Sequence, residues 1–312
     1  KIERIVMKLA VEFPSVSYRE GPGAVARLAK GIEEIGYDQL DVYDHVVMGY
    51  DIEGRTKSFY PAQMPIIEAF IMLSYAAAVT EKIGLGTEVL VLPQRQPALV
   101  AKQVSSLDLL SGGRVRLGVG VGWQESEYEA LGENFKNRGL RMDEAIELLR
   151  AYWRDERVDF ASKHYPTTAI AMEPKPPQRD ALPIWVGGNT PPAFRRVGRY
   201  GDGWLASQVS DADFAKSAMD AIREAAAAVG RNPEAIGWQS MIAPPPREGD
   251  LAGKTFYAEP DRVAARVVEL NQMGFDGVAV NATAIFQAGS RSVDAMLDAL
   301  SAIHDKLRLE VG

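Results

Sequence analysis

Residues 182–204 read LPIWVGGNTPPAFRRVGRYGDGW, and the order of residue types in this stretch decides the fold. The apolar run 183–186, bounded by turn residues, predicts a short buried strand. Gly187-Gly188-Asn189 follows as a tight turn. Thr190 at an N-cap with Pro191 at the first helical position opens a helix over 191–200. Gly201 closes that helix, and 203–207 predicts the next strand. Strand, helix and strand joined by so little chain make one βαβ unit, which belongs to a parallel sheet.

The same grammar recurs outward from this unit. EEIGYD, NQMGFDG and RYGDGW each end a helix in glycine and run straight into a strand. Eight strands are predicted, at 4–10, 39–43, 83–91, 114–120, 183–186, 203–207, 235–243 and 276–281. Several are apolar nearly throughout, as strands covered on both faces should be. Helical periodicity fills the intervals at 23–35, 67–80, 97–110, 138–153, 191–200, 211–229, 261–273 and 290–307. Two proline-rich stretches, 159–182 and 244–260, are too long for simple connections and read as insertions. An open doubly wound sheet would carry Gly-x-Gly-x-x-Gly after its first strand, with an acidic residue about 20 positions on. VEFPSVSYREGPG stands there instead. The expectation is an α/β chain forming a single (β/α)8 TIM barrel over residues 1–312, with two insertions.

Composition narrows the function. A net charge of −7 argues against a general nucleic-acid binder, which needs a basic face. The chain has no cysteine, so disulfides, thiolate metal sites and cysteine nucleophiles are excluded. Its three histidines, His45, His164 and His304, are too scattered to converge as the ligand set of a barrel metallohydrolase, and no metal site is expected. No apolar run approaches the roughly 20 residues that span a bilayer. KIERIVMKLAVEF lacks the apolar core and cleavage site of a secretory signal. These features predict a cytoplasmic protein acting on a small molecule, with neither membrane nor nucleic acid as partner.

Four segments carry chemistry, all at carboxyl ends of strands, the reactive face of a parallel barrel. In SGGRVRLGVGVGWQESEYEALG, Gly120, Val121, Gly122 and Trp123 follow the fourth strand. Glycine there lets backbone N–H groups approach a ligand oxygen, although tight turns alone explain such a run as often. Gly187, Gly188 and Asn189 precede a helix start and suit an anion. Barrel phosphate sites more often follow the seventh and eighth strands, so this position is a departure. Asp44 and His45 sit just past the second strand, where an imidazole can transfer a proton or bond a cofactor ring. A lone histidine is as often structural. Glu88, beside Val89 at the end of the third strand, reads as a base, a ring contact or half of an ion pair with Arg95. Phe13, Tyr50, Phe59, Tyr60 and Trp238 are candidates for an apolar substrate lining.

Taken together, VYDHV, IGLGTEVLVLP, PALVAKQVSSLDLLSGGRVRLGVGVGWQESEYEALG and LPIWVGGNTPPAFRRVGRYGDGW resemble the luciferase-like monooxygenase superfamily, and in particular its deazaflavin-dependent branch. The likeness covers most of residues 37 to 205. It implies a (β/α)8 barrel that binds coenzyme F420, an 8-hydroxy-5-deazaflavin, with FMN as the alternative. It implies that Gly120–Trp123 and Gly187–Asn189 hold the cofactor phosphate and that Glu88-Val89 lies against the ring across a cis peptide. It also implies that Asp44 and His45 line the cofactor, with His45 as the catalytic proton-transfer residue. Family members are commonly dimers, so a homodimer is expected. One departure stands out: sugar-phosphate dehydrogenases of this branch carry Thr-Gly-Glu where this chain has Val121-Gly122-Trp123. The resulting expectation is hydride transfer between a deazaflavin and a small organic substrate. The alternatives are an FMN-dependent monooxygenase served by a separate reductase and a cofactor-binding protein without turnover.

Overall fold

The computed structural model describes residues 6–209, 211–244 and 255–312. Eight parallel strands close into a barrel: β1 (Lys8–Glu12), β2 (Gln39–Val42), β3 (Gly84–Thr87, resumed at Leu90–Val91), β4 (Val115–Gly120), β5 (Ile184–Gly187), β6 (Gly203–Ala206), β7 (Gly237–Met241) and β8 (Gly277–Asn281). Each pairs with its neighbours in chain order, and β1 pairs with β8 to complete the ring. Around it run α1 (Pro22–Ile35), α2 (Ala69–Val79), α3 (Pro97–Ser111), α4 (Arg138–Arg154), α5 (Pro191–Tyr200), α6 (Ala212–Ala227), α7 (Pro260–Gln272) and α8 (Val293–Val311). The expected TIM barrel is what the chain forms. None of the described helices is long and apolar enough to cross a membrane.

The apolar core is the layer between strands and helices. Trp204 of β6 packs edge-on against Phe194 of α5 at 5.5 Å, and Trp153 of α4 donates its indole N–H to the Ala101 carbonyl at 3.1 Å. Tertiary packing of this kind stabilises the helices more than intrinsic propensity does. Helix ends follow local chemistry: α1 and α3 stop at Gly36 and Gly112 in left-handed conformations. The second helix was expected from 67 and starts at Ala69, because the Glu68 side chain caps it by accepting from the Ile71 N–H at 2.9 Å.

Two strands depart from expectation. β1 lies later than 4–10, since Glu12 continues the pairing with β8 up to Asn281 instead of ending the strand. Its acidic side chain faces the lumen, where a polar residue does not interrupt the ladder. β3 is not continuous. Leu85 pairs with Val115, but Leu90 pairs with Val119, so β3 carries one extra residue over this interval, a bulge. The Glu88–Val89 peptide inside it is cis, as the resemblance implied. Insertion 159–182 holds an antiparallel hairpin of Val158–Phe160 with Thr167–Ile170. Most of insertion 244–260 lies outside the described residues.

Candidate active site

The carboxyl ends of β4 and β5 are adjacent, with Val119 opposite Val186, so Gly120 and Gly187 end their strands side by side. The β3 bulge pushes the Val89 side chain between them. A Cβ on Gly120 would lie 2.5 Å from one Val89 methyl, and one on Gly187 would lie 2.8 Å from the other. The two glycine turns therefore meet on one rim, against one side chain. Gly122 (φ 66°) and Gly188 (φ 124°) take left-handed conformations that swing the turns open. Tyr128 holds the first turn by donating to the Val121 carbonyl at 2.7 Å, and the Trp204 indole holds the second through the Gly188 carbonyl at 2.9 Å.

Among the described residues no acceptor is paired with the N–H groups of Val121, Gly122 and Trp123, or of Gly188, Asn189 and Thr190. Asn189 donates its amide to the Gln208 carbonyl at 2.7 Å, while its buried Oδ1 is unpartnered. Unpaired amides on two neighbouring turns suit a phosphorylated ligand. The helix start itself contributes less than expected. Thr190 is the N-cap but makes no side-chain cap bond, and Pro191 and Pro192 carry no N–H. The donors are the turn amides.

His45 lies on the same rim, after β2. Its Nδ1 is 2.9 Å from Glu127, which also accepts from Gln94 (3.1 Å) and from the Val46 N–H (2.6 Å). Burial raises the Glu127 carboxyl, but the His45 contact, the Gln94 amide and the Val46 N–H together bring it below the ordinary carboxylate range. An ionised Glu127 accepts from Nδ1–H and fixes the imidazole with Nε2 as its remaining nitrogen. The His45 ring meets Trp123 edge-on at 5.5 Å and Tyr60 at 6.0 Å, while Phe59 packs on Trp123 at 4.8 Å. The loops after β2 and β4 thus bring Tyr60, Phe59 and Trp123 together beside the histidine.

Below the rim the lumen is polar. Asp41 of β2, Arg116 of β4 and Gln239 of β7 bond one another, although their strands are not neighbours, so the contacts cross the barrel interior. Gln239 also donates to Glu88 at 2.8 Å, and the Tyr43 hydroxyl donates to Glu12. Burial pushes Glu12 up to about 8, opposed by the Tyr43 hydrogen bond and reinforced by nearby Asp41. Burial, Glu12 and Asp41 hold Glu88 well above its ordinary value against the pull of Arg116. The floor of the site is one ion pair flanked by two acids whose carboxyls are held above the ordinary carboxylate range.

Residues 3–243 match the profile of the luciferase-like monooxygenase family. This chain belongs to the luciferase-like monooxygenase family. It is similar to an uncharacterized protein of Mycobacterium tuberculosis, 36% identical over 185 residues, which are 57% of this chain and 63% of that protein. It is also similar to the F420-dependent glucose-6-phosphate dehydrogenase of Nocardia farcinica, 32% identical over 237 residues, 73% of this chain and 66% of that one. The luciferase-like chain thus spans slightly less than two thirds of these relatives. Its fold resembles that of the coenzyme F420-dependent tetrahydromethanopterin reductase of Methanopyrus kandleri, with a TM-score of 0.75 and 18% identity over 98% of this chain and 100% of that one.

Within this luciferase-like barrel the candidate residues separate. Gly120, Val121, Gly122, Trp123, Gly187, Gly188, Asn189, Val89 and His45 share the rim. Asp44 does not face it freely: one oxygen pairs with Arg95 at 2.7 Å and the other accepts from the Val91 N–H at 2.9 Å. Glu88 is not paired with Arg95, whose other partner is Glu68. Of the candidate lining, Phe13 and Trp238 are core, while Tyr50, Phe59 and Tyr60 are exposed. Four residues escaped the sequence reading: Glu127, Glu12, Arg116 and Gln239. Glu127 stands in the polar run QESE that directly follows Trp123 in the quoted segment. Arg116 and Gln239, polar side chains inside otherwise apolar strands, were the visible sign of a polar lumen.

Proposed function

We propose that this chain is a deazaflavin-dependent oxidoreductase, a single domain over residues 1–312, that moves a hydride between coenzyme F420 and a small organic substrate. One observation carries the reading: two turns of unpaired amides meet at the Val89 bulge, on the rim that also holds the His45–Glu127 pair. The F420-dependent activities of the Nocardia and Methanopyrus proteins support the choice of cofactor.

The backbone of Gly120–Trp123 and Gly187–Asn189 would hold the phosphate, and Glu88-Val89 would lie beside the ring. Bound there, the deazaflavin supplies two-electron hydride chemistry. Val89 supports both glycine turns, so cradle and ring face are fixed by one side chain. The raised Glu12 and Glu88 carboxyls would limit negative charge on the floor beneath the ring. His45 gives or takes the proton at Nε2, while Glu127 anchors Nδ1 and offsets the charge of the imidazolium form. Trp123 and Tyr60 pack edge-on against the His45 ring and help fix its orientation. We further propose a homodimer, which light scattering tests.

Titrating the purified chain with F420 and with FMN, followed by cofactor fluorescence, tests the reading. Saturable F420 binding is expected, with oxidation of the reduced form by at least one member of a carbonyl, imine and enone panel. Saturable FMN binding without F420 binding would instead assign a monooxygenase served by a separate reductase. An F420 complex inert to the whole panel would assign cofactor binding alone.

A further inference from the structure

A cavity of about 210 Å³ opens on the opposite side of the same rim. Its walls come from the loop after β1 (Ser15, Val16, Arg19), from Tyr43, Pro61 and residues 63–66 after β2, and from Thr283 and Phe286 after β8. In the closed ring β8, β1 and β2 are consecutive, and β4–β5 lie across the barrel from them. The cavity therefore faces the amide cradle over the lumen and shares Tyr43 with the carboxylate floor.

The chemistry of the walls is selective. Three polar groups are each partly engaged: Ser15 Oγ accepts from the Ile67 N–H at 3.1 Å, the Tyr43 hydroxyl donates to Glu12, and the Gln63 amide donates to Tyr50 at 3.2 Å. What remains is apolar surface from Val16, Met64, Ile66 and Phe286, with neutral Thr283 and Gln287. One charge is added: Arg19 lines the cavity and has no ion-pair or hydrogen-bond partner among the described residues. A guanidinium presents paired N–H donors that match a carboxylate. A polyhydroxylated sugar phosphate would find few free polar partners on these walls and would leave its hydroxyls unpaired.

We propose that this cavity is the substrate subsite and that it takes an apolar molecule bearing a single carboxylate, received by Arg19. The inference rests on the oxidoreductase reading above for its meaning as a substrate site, but its binding test needs no cofactor. Cinnamate, methyl cinnamate and glucose 6-phosphate are titrated calorimetrically into the full chain and into Arg19→Gln. Cinnamate is expected to bind wild type more tightly than its ester. Because Arg19 is solvent-exposed, Arg19→Gln is expected to weaken cinnamate by about fivefold and to leave the ester unchanged. A Thr283→Trp variant, which fills the cavity, is expected to abolish binding of both, while F420 fluorescence titrations report whether the cradle is intact.

Equal binding of acid and ester, an acid preference that survives Arg19→Gln, tighter binding of glucose 6-phosphate, or binding of none of the three would each overturn the proposal. Failure of F420 binding with Arg19-dependent cinnamate binding retained would instead sink the cofactor reading and leave the subsite standing.

Discussion

The Val89 wedge permits a quantitative test of the cradle. A Gly120→Ala methyl would sit 2.5 Å from a Val89 methyl, about 1 Å inside ordinary carbon contact. Overpacking of this kind costs about 1–3 kcal/mol. Val89→Ala alone removes two methyls from a half-buried site and costs about 1 kcal/mol. If the two acted independently, the double variant would lose about 3 kcal/mol; removal of the clash predicts about 1 kcal/mol instead, a coupling of roughly 2 kcal/mol. Thermal midpoints read the effect, at about 2 °C per kcal/mol for a chain of this size. Fluorescence titration with F420 reads its consequence: weaker binding in Gly120→Ala, partly restored by adding Val89→Ala. Strict additivity of the midpoints, or a neutral Gly120→Ala, would refute the wedge.

Replacing His45 with Asn should lower turnover by about 10²–10⁴-fold while F420 affinity changes little, as expected for general acid–base loss; equal losses in both would reassign His45 to binding. Glu127→Ala strands the His45, Gln94 and Val46 donors together, and should reduce turnover in step with a stability loss of about 2–3 kcal/mol. Folded Glu12 keeps its proton to about pH 8, whereas the unfolded carboxyl releases it near 4.5. The unfolded chain therefore binds fewer protons across that interval, and stability falls as pH rises, by up to about 1.4 kcal/mol per unit. Glu12→Gln should flatten this slope, and denaturation midpoints measured from pH 5 to 9 check it. Arg116→Met leaves Asp41, which is 0% exposed, without its cation, and should cost about 3–5 kcal/mol by the same melts.

The barrel was legible because its signals are local. Glycine helix ends, a proline helix start and short apolar runs each report on a few neighbouring residues, and eight repeats of that pattern leave little freedom in topology. The glycine turns were legible for the same reason. The pairing of His45 with Glu127 was not, because it joins residues 82 positions apart. The contact exists because the short helix Glu125–Ala130 turns Glu127 back toward the loop after β2, where the Val46 N–H and the Gln94 amide already converge. Gln124, in the same run, reinforces that loop by accepting from the Gly49 N–H at 2.8 Å and donating to the Val47 carbonyl at 2.8 Å.

The lumen teaches a different lesson about strands read as apolar throughout. In β1, Leu9 and Val11 are buried among the helices, while Glu12 takes the inward side; in β2, Leu40 and Val42 do the same around Asp41. The period of two is present in the sequence, but an isolated acid at a strand end looks like a terminus rather than an inward-facing residue. What no single strand reveals is the charge balance. Glu12, Asp41, Glu88 and Arg116 would total −2 if all were ionised, an arrangement a buried lumen does not sustain. Burial moves Glu12 and Glu88 toward their neutral forms, while Arg116 pairs with Asp41. A floor held toward neutrality at this depth would suit the flat conjugated ring of the proposed cofactor, and that compatibility, more than any one residue, would tie the lumen to the rim above it.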